Sequence, residues 1–293
     1  MKSEGFTRVS VIIPVYRDWR SLEICLKMLK MQSYPSRLFE IVVINNDPKD
    51  TPPYTIDEGN SKLLIEGKKG SYSARNKGIL ESTGDIILFT DSDCIPNYNW
   101  IQGMVSGIEN GHDRIAGNIE LNYRSDKLSW PEIYEKSLAF KQEDKAKRGV
   151  SVTANMACKR ELFDKVGLFN DNLLSGGDIE WSNRASSKGF DIFFCKKSTV
   201  KHPARYNLSQ LFSKRKRVIG GTFTSINNDK HQPVLMLFFQ QLVPPINIFK
   251  KLKNRTHLTI LEKMITFFVH YIIKLYSSYC IFLFKVNIDK PTR

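Results

Sequence analysis

The stretch Asp85-Ile-Ile-Leu-Phe-Thr-Asp-Ser-Asp-Cys94 decides the fold of this 293-residue chain. Its apolar run, residues 86–89, has the composition of a buried β-strand, and two carboxylates follow at the C-terminal end. Only Ser92 separates Asp91 from Asp93, so a bend at Ser92 would aim both carboxylates at one point. Paired hard oxygen ligands suit Mg²⁺ or Mn²⁺, and such an ion suits a diphosphate. The stretch therefore indicates an enzyme that acts on a nucleotide diphosphate.

Three more apolar runs, at residues 9–16, 40–45 and 62–65, are typical of buried strands. Helical spacing over 19–32 and 71–82 lies between them and predicts an α/β fold, with a mostly parallel sheet and helices on both faces. Ligands of such sheets bind at the C-terminal strand ends. Polar clusters occupy three of those ends: Pro14-Val15-Tyr16, Asn45-Asn46-Asp47 and Asp91-Ser92-Asp93. They predict one ligand-binding rim.

The rest of the chain indicates mixed structure followed by a basic region. Helices are predicted at 100–108, 130–147, 161–166 and 178–188, and strands at 114–121 and 191–195. Acidic residues nearly vanish near 205–210, which predicts a domain boundary there. We expect a catalytic domain over 1–208, with a nucleotide-binding half at 1–95 and an acceptor half at 96–208, and then a helical region over 209–293.

The net charge of +14 is concentrated at the C-terminal end, where residues 201–293 carry 16 Lys and Arg against 3 Asp and Glu. Such a region binds either nucleic acid or an anionic membrane. No nucleic-acid module signature is present, so we expect no nucleic-acid partner. The five cysteines lack C-x-x-C spacing, and the short polar start predicts no signal peptide. These features predict a cytoplasmic protein.

Residues 258–285 form a mainly apolar segment that is long enough for a membrane helix. Its polar residues recur at helical spacing as one narrow stripe: Thr259, Lys263, Thr266, His270, Lys274 and Ser277. Charges near the middle make a lone span costly, so we predict a helix lying in the membrane interface with this stripe toward water. The cluster Lys250-Lys251-x-Lys253-x-Arg255 would contact anionic headgroups. Packing against the catalytic domain or a second subunit is the alternative.

An ordered set of motifs closely resembles glycosyltransferase family 2 over residues 8–225. The motifs are Val9-Ser-Val-Ile-Ile-Pro-Val-Tyr16, Glu40-Ile-Val-Val-Ile-Asn-Asn46, Ser73-Ala-Arg-Asn-Lys-Gly78, Asp91-Ser-Asp93, Ala154-Asn155 and Gly176-Gly-Asp-Ile-Glu-Trp181. The resemblance implies a GT-A fold, inversion at the anomeric centre and a role in bacterial surface-polysaccharide synthesis.

The resemblance implies a group of donor-binding residues on the rim: Pro14, Tyr16, Asn45, Asn46, Arg75, Asn76, Asp91 and Ser92. The family often has Asp where Asn45 and Asn46 stand, and simple turn formation is the alternative role for this pair. Arg75 would offset diphosphate charge, unless it is a solvated helix residue. Asp93 would coordinate Mn²⁺ or Mg²⁺, and His202 would be a second ligand unless it is structural.

Asp178 matches the position of the catalytic base of the family, although Gly177 replaces the usual Glu before it. An inverting transfer needs one base to deprotonate the acceptor hydroxyl. A helix N-cap is the alternative role for Asp178, and Glu180 is the substitute base. Asn155, Glu180 and Trp181 would line the sugar or acceptor pocket, although Asn155 and Trp181 are equally compatible with core or turn positions.

Together these features predict a peripheral enzyme on the cytoplasmic face of the cell membrane. It would transfer a sugar from a nucleotide-diphosphate donor, expected to be a UDP-sugar, to a saccharide or lipid-linked saccharide. A sugar-phosphate nucleotidyltransferase is one alternative, but a glycine-rich loop would then replace residues 14–18 after the first strand. A non-catalytic membrane or polyanion binding module is the other. The presence of Asp91, Asp93 and Asp178 argues against it.

Overall fold

The structure is a computed structural model that describes residues 7–173, 175–228, 234–253 and 255–290. The chain divides into two compact units. The first unit contains residues 1–120 and 140–202, and the second contains residues 121–139 and 203–293. The third crossing between the units, at 202–203, is near the expected boundary at 208. The grouping of residues 121–139 with the C-terminal helices was not predicted.

Within the described residues, eight strands form one mixed sheet in the order β3-β2-β1-β4-β7-β6-β8-β5. The strands are β1 Val9–Val15, β2 Phe39–Asn45, β3 Ser61–Ile65, β4 Ile86–Thr90, β5 Ile95–Pro96, β6 Arg114–Asn122, β7 Asn155–Lys159 and β8 Phe193–Pro203. Strands β1 to β4 are parallel, whereas β7 runs antiparallel to both β4 and β6. The parallel half therefore presents the C-terminal ends of its strands at one edge.

Alternating side chains of β1 show why helices cover both faces of the sheet. Val11 and Ile13 belong to one fully buried apolar cluster, together with Leu22 of helix α1, Trp19–Lys30. Ile12 points to the opposite cluster, which includes Ala74 of helix α2, Ser71–Glu81. Burial on both faces requires the nearly continuous apolar runs seen in the sequence. The predicted α/β fold with helices on both faces is confirmed, although the sheet is mixed rather than mostly parallel.

The remaining helices of the first unit pack on the same sheet. They are α3 Trp100–Glu109, α5 Gln142–Ala146, α6 Glu161–Val166 and α7 Gly177–Ser187. The predicted single helix over 130–147 is wrong, because α4, Trp130–Leu138, ends before Phe140 and α5 begins after it. Phe140 has a φ of 45°, which cannot continue a helix, and its ring packs 4.5 Å from that of His202. The break thus brings an aromatic ring to the candidate site.

In the part of the second unit that the structure describes, α4 is followed by four C-terminal helices. These are α8 Leu208–Asn228, α9 Val234–Leu242, α10 Asn247–Lys253 and α11 Ile260–Lys285. Helix α11 begins at a capping box formed by Thr259 and Glu262, and it is long and apolar enough to cross a membrane. Val269 and Ile273 of α11 pack with Ile133 of α4 in a common apolar cluster.

The polar stripe of α11 is packed against protein at Thr266 and Ser277, in contrast to the predicted orientation toward water, whereas Thr259 is exposed and Lys263, His270 and Lys274 are half-buried. Thr266 and Ser277 are fully buried. Thr266 shares a hydrogen bond of 2.8 Å with Ser137 of α4, and Ser277 accepts one of 2.5 Å from Arg215 of α8. Because buried hydroxyls need partners, the neighbouring helices select the stripe as the packed face.

His270 of the polar stripe is expected to make the stability of the protein depend on pH. Its Nδ1 lies 3.1 Å from the Tyr134 hydroxyl. Burial, and then the positive charge of Arg215, lower the pKa of His270 to about 4. Its pKa in the unfolded chain is roughly 6.5. As pH falls from the upper to the lower value, the unfolded chain binds a proton that the folded chain excludes, so stability is lost.

We expect the loss of unfolding free energy over this pH range to be smaller in His270→Gln by about 1 kcal/mol. This figure is reduced because the imidazole is partly exposed to solvent. Urea unfolding followed by circular dichroism at a series of pH values measures the loss. Parallel profiles for the variant and the wild type would show that His270 does not titrate differently in the two states.

Candidate active site

The bend predicted at Ser92 is present directly after β4. The Cys94 N–H donates to the Asp91 carbonyl at 3.1 Å, which closes a four-residue turn with Ser92 and Asp93 at its centre. The apolar strand is buried on both faces, whereas the carboxylates of the turn are half-buried. The strand therefore anchors a turn that presents two acidic groups at the rim.

One corner of the site contains Asp93 and His202. Strand β5 pairs with β8 antiparallel, with Ile95 opposite Lys201, and this register places the preceding turn beside His202. The His202 Nε2 lies 3.6 Å from an Asp93 carboxylate oxygen, and the imidazole is buried. Cys94 is the third potential ligand within 4.8 Å. These three residues are a candidate metal centre.

The chemistry of the donor set fits a divalent cation held by Asp93 and His202. Burial raises the pKa of the Cys94 thiol well above its usual value, and a protonated thiol is a poor ligand. Carboxylate oxygen and imidazole nitrogen remain, both of which bind first-row divalent metals. When bound, such an ion would stabilise negative charge on a departing diphosphate.

Asp91 has a different partner, Arg75 of α2. The guanidinium Nη2 lies 2.5 Å from Asp91 Oδ1, and Arg75 is only 4% exposed. The Arg75 Nε is buried and has no hydrogen-bond partner within the described residues. A buried donor without a partner is costly, which suits a position next to a ligand oxygen. Arg75 is thus not a solvated helix residue.

Asp178 is the second residue of α7 and is not its N-cap. Gly176 is the N-cap, with a left-handed φ of 80° that glycine adopts readily. The Asp178 Oδ1 accepts from the Tyr72 hydroxyl at 3.2 Å and from the Ile179 N–H at 2.9 Å. A Cβ on Gly177 would lie 2.8 Å from the Tyr72 ring, so the close approach needs this glycine. The second carboxylate oxygen makes no hydrogen bond to the described residues.

Helix α2 connects the two acidic groups. Tyr72 touches Asp178, Arg75 touches Asp91, and the Arg75 guanidinium lies 5.8 Å from the Tyr72 ring centre. These residues are one helical turn apart, so their side chains lie on one face. Asp178 and the Asp91–Asp93 turn therefore belong to one continuous set of contacts. Tyr72 was not predicted, because its contact with Asp178 joins residues far apart in the chain.

The rim residues after β1 and β2 mainly shape the loops. Asn45 donates to the Asp50 carbonyl at 2.6 Å and accepts from the Asp47 N–H. Asn46 donates to the Glu66 and Lys68 carbonyls and accepts from the Gly70 N–H. Both amides are buried. The alternative role in turn formation is thus observed, and these asparagines position the backbone around the rim.

Two other rim predictions have different outcomes. Pro14 lies within β1, where it is buried opposite Ile44 of β2. Tyr16 is 45% exposed, beside the Arg17 guanidinium, which leaves much of its ring accessible. Tyr16 is therefore the side chain of this cluster that is best placed to stack on a base.

Asn76 does not face a ligand, in contrast to the prediction. Its amide nitrogen donates to the Phe169 carbonyl at 2.8 Å, and its oxygen accepts from the Phe169 N–H at 3.0 Å. Both ends of the amide are therefore occupied by one backbone unit. Asn76 holds the loop before α7 against α2, which positions Asp178 indirectly.

The predicted pocket roles of Asn155 and Trp181 are wrong, because both side chains are fully buried. Asn155 bonds Trp100, Asn118 and Ser198 in the core. The Trp181 indole packs on Phe163 and donates to the Gly167 carbonyl. Their positions next to conspicuous motifs reflect folding rather than contact with a sugar.

Glu180 is paired with Arg184 of the same helix, with oxygen–nitrogen distances of 2.6 and 3.1 Å. Arg184 in turn donates to the carbonyls of Val166 and Leu168. Glu180 is half-buried, and its charge is matched by this neighbour. Asp178 has no such cation partner within the described residues, so it is the better placed general base.

The burial of Trp181 predicts a large effect on stability. We expect Trp181→Ala to lower the free energy of unfolding by about 3–5 kcal/mol, because it removes a large buried ring and leaves a cavity. Urea unfolding monitored by circular dichroism measures the change, and Asn183→Ala, at an exposed position of the same helix, is the control. Unchanged stability with weaker donor binding would instead restore the pocket role.

The fold is that of a GT-A glycosyltransferase. The sequence model of glycosyl transferase family 2 matches residues 10–167. The chain belongs to glycosyltransferase family 2. The glycosyltransferase AglE of Haloferax volcanii is 34% identical over 218 residues, which are 72% of this chain and 71% of that protein.

Other relatives are more distant or longer. The probable glycosyltransferase YdaM of Bacillus subtilis is 27% identical over 206 residues, which are 64% of this chain and 48% of YdaM. The chain thus spans about half the length of this relative. The mannosyltransferase PcManGT of Pyrobaculum calidifontis, solved with GDP-Man and Mn²⁺, aligns with a TM-score of 0.55 at 17% identity over 98% of this chain and 77% of that one.

A further solved structure supports the same fold. GalNAc-T7 with UDP, GalNAc and Mn²⁺ aligns with a TM-score of 0.54 at 18% identity. The alignment covers 70% of this chain and 45% of GalNAc-T7. At such low identity, these likenesses establish the GT-A fold and leave the substrates to be identified.

Proposed function

We propose that this protein is an inverting, metal-dependent glycosyltransferase that moves a sugar from a nucleotide-diphosphate donor to a hydroxyl acceptor. The observation that carries the proposal is the contact path from Asp178 through Tyr72 and Arg75 to Asp91. It joins a free carboxylate oxygen to a turn that suits a diphosphate. A non-catalytic binding module would not need both groups in one place.

The proposed base is Asp178. Its position in the first turn of α7 and its hydrogen bond from Tyr72 hold the carboxylate in one orientation. Burial and the nearby charge of Asp178 raise the pKa of Tyr72, so the tyrosine stays a neutral donor. The unbonded carboxylate oxygen is then available to take the proton of the acceptor hydroxyl as it attacks the anomeric carbon.

The proposed diphosphate site combines Arg75, Asp91 and the Asp93–His202 pair. Arg75 supplies a fixed positive charge, and Asp91 holds its guanidinium in place. Asp93 and His202 would hold the divalent cation. An imidazole ligand favours Mn²⁺ over Mg²⁺, because Mg²⁺ prefers oxygen ligands alone. A UDP-sugar remains the donor expected from the family resemblance.

The proposed acceptor is a saccharide or a lipid-linked saccharide used in cell-surface polysaccharide synthesis. The proposed location is the cytoplasmic face of the membrane. The C-terminal excess of Lys and Arg supports this location, because such segments are attracted to anionic lipids.

A panel of nucleotide-sugars with Mn²⁺ or Mg²⁺ tests the proposal. We expect one donor to bind only when a divalent ion is present, with Mn²⁺ more effective, and its slow hydrolysis to release the nucleoside diphosphate and the inverted sugar. Calorimetry measures binding, and proton NMR reports the anomeric configuration. Formation of nucleotide-sugar from sugar phosphate and nucleoside triphosphate would instead identify a nucleotidyltransferase. Retention of configuration would exclude Asp178 as the base of a single displacement.

A further inference from the structure

Helix α11 exposes a continuous apolar stripe on the side opposite Thr266 and Ser277, the two buried residues of its polar stripe. The exposed residues recur every three or four positions along the helix: Leu261, Met264, Phe268, Ile272, Leu275, Tyr279, Phe282 and Val286. This spacing places them on one face. Soluble helices normally bury such a face and expose the polar one. The second unit has the reverse arrangement, with Thr266 and Ser277 buried and phenylalanines exposed.

Helix α9 and the turn after it add to this apolar surface. Helix α9 packs on α11 through Phe238, while its other side exposes Leu235, Met236 and Phe239. Val243 and Ile246 of the following turn are 59% and 68% exposed. A large exposed apolar surface marks an interaction site, because single scattered residues do not form such patches.

An open cavity of 390 Å³ lies beside this surface, within the second unit. Its apolar walls come from Val243, Pro244, Pro245 and Ile248, and its basic groups are Lys251, His270 and Lys274. The described residues of the lining include no carboxylate. A cavity that is apolar on one side and cationic on the other fits the junction between a phosphate and a hydrocarbon chain.

Among the described residues, the acidic side chains of the second unit do not form ion pairs with the lysines of the cavity. Glu135 is paired with Arg205 and Lys214, Glu262 with Lys136, and Asp289 with Lys216. In the described chain, no ion pair involves Lys251 or Lys274. Lys251 is exposed at the rim, and the Lys274 ammonium donates to the Gln240 carbonyl, which fixes its position. The positive charge is thus available to an anion from outside.

We propose that the second unit binds the surface of an anionic bilayer, with the exposed apolar stripes in the lipid and a lipid phosphate in the cavity at Lys251, His270 and Lys274. The inference deepens the proposed membrane location and does not depend on glycosyl transfer, since it rests on the second unit alone. Charge complementarity selects an anionic lipid as the occupant. A second copy of this chain is disfavoured, because it would bring further cations to a cationic cavity.

The arrangement favours a helix that lies on the bilayer over one that crosses it. Arg215 donates to Ser277 in the second half of α11, and Lys263 and Lys274 lie along the helix. A crossing would place these charges at the depth of the hydrocarbon. With α11 in the interface, its apolar side contacts acyl chains, while its packed side stays with α4 and α8.

Vesicle flotation of the full chain tests the cavity. The vesicles are phosphatidylcholine alone, or phosphatidylcholine with a minor fraction of phosphatidic acid. We expect binding to the second kind only, and we expect Lys251→Ala to weaken it by roughly tenfold more than Lys250→Ala. Both lysines are exposed on α10, so general attraction to the surface is matched and only the cavity contact differs. Equal losses would overturn the phosphate site.

A matched pair of leucine substitutions tests the apolar surface. Leu261 on α11 is 68% exposed, and Leu80 on α2 of the first unit is 69% exposed. We expect Leu261→Ser to reduce vesicle binding severalfold and Leu80→Ser to leave it unchanged. Equal behaviour of the two variants would contradict the proposed face.

Two further outcomes would also overturn the inference. Inorganic phosphate that competes as well as vesicles containing phosphatidic acid would identify a soluble anion as the ligand. Concentration-dependent dimerisation that is abolished by Leu261→Ser, without vesicle binding, would identify a second copy as the occupant. None of these readouts depends on transferase activity, so a failure here is distinct from a failure of the proposed enzyme function.

Discussion

Asp178→Asn is expected to lower the turnover number by about 10²–10⁴-fold, because the amide cannot accept the proton of the acceptor hydroxyl. This loss corresponds to roughly 3–5 kcal/mol of transition-state stabilisation. The substitution preserves shape, and the remaining amide oxygen can still accept from Tyr72 and from the Ile179 N–H. Donor binding measured by calorimetry with Mn²⁺ should therefore change little, while transfer is nearly abolished.

Glu180→Gln is the matched control, two residues further along the same helix. Glu180 is paired with Arg184, so its substitution should cost little activity. Comparing the two variants distinguishes the loss of a catalytic base from a general effect of losing a negative charge on α7. A reversed result, with Glu180→Gln inactive and Asp178→Asn active, would transfer the role of base to Glu180.

Asp93→Asn is expected to reduce Mn²⁺ affinity by roughly 10²-fold or more. Of the two proposed ligands, Asp93 and His202, the substitution removes the one that carries a negative charge. Activity at limiting Mn²⁺ should fall with the affinity and recover in part at high Mn²⁺, which would not happen if Asp93 only shaped the turn. Calorimetric titration of the metal, with the donor present, measures the affinity directly. His202→Ala should lose affinity in the same way and also reduce the preference for Mn²⁺ over Mg²⁺.

Asp85→Asn is the control for this experiment. Asp85 precedes β4 at the edge opposite Asp93 and accepts only from the Arg8 N–H among the described side-chain contacts. Asp85→Asn also removes one negative charge next to β4, but at the end of the strand that is away from the rim. A metal affinity that is equal in Asp93→Asn and wild type would remove the metal centre from the proposal.

The nucleotide half of the fold was predicted closely from local patterns. The predicted strand over 40–45 is observed as Phe39–Asn45, and the helix over 71–82 as Ser71–Glu81. Strands buried on both faces are nearly continuous apolar runs, so their ends are visible without any partner. Strand β7, Asn155–Lys159, was missed because its residues include few β-branched side chains and its burial comes from pairing with β4 and β6.

The strand pattern also predicts where part of the candidate site lies. Residues at strand ends, such as Asp91 and Asp93, follow from the strand pattern. The roles of Asn76, Asn155 and Trp181 do not, because a motif position does not reveal whether a side chain points into a pocket or into the core. Their hydrogen-bond partners decide this: Phe169 for Asn76, Trp100 for Asn155 and Gly167 for Trp181.

By itself, the sequence determined the strand ends, the turn at Asp91-Ser92-Asp93 and the uneven charge, because each depends on neighbouring residues and on their period. Only the tertiary structure decided that Tyr72 joins Asp178 to Arg75, and that Thr266 and Ser277 of the polar stripe of α11 face inward. Both depend on contacts between residues far apart in the chain. For an amphipathic helix, periodicity defines two faces, and the partners that satisfy its buried polar groups decide which face is packed.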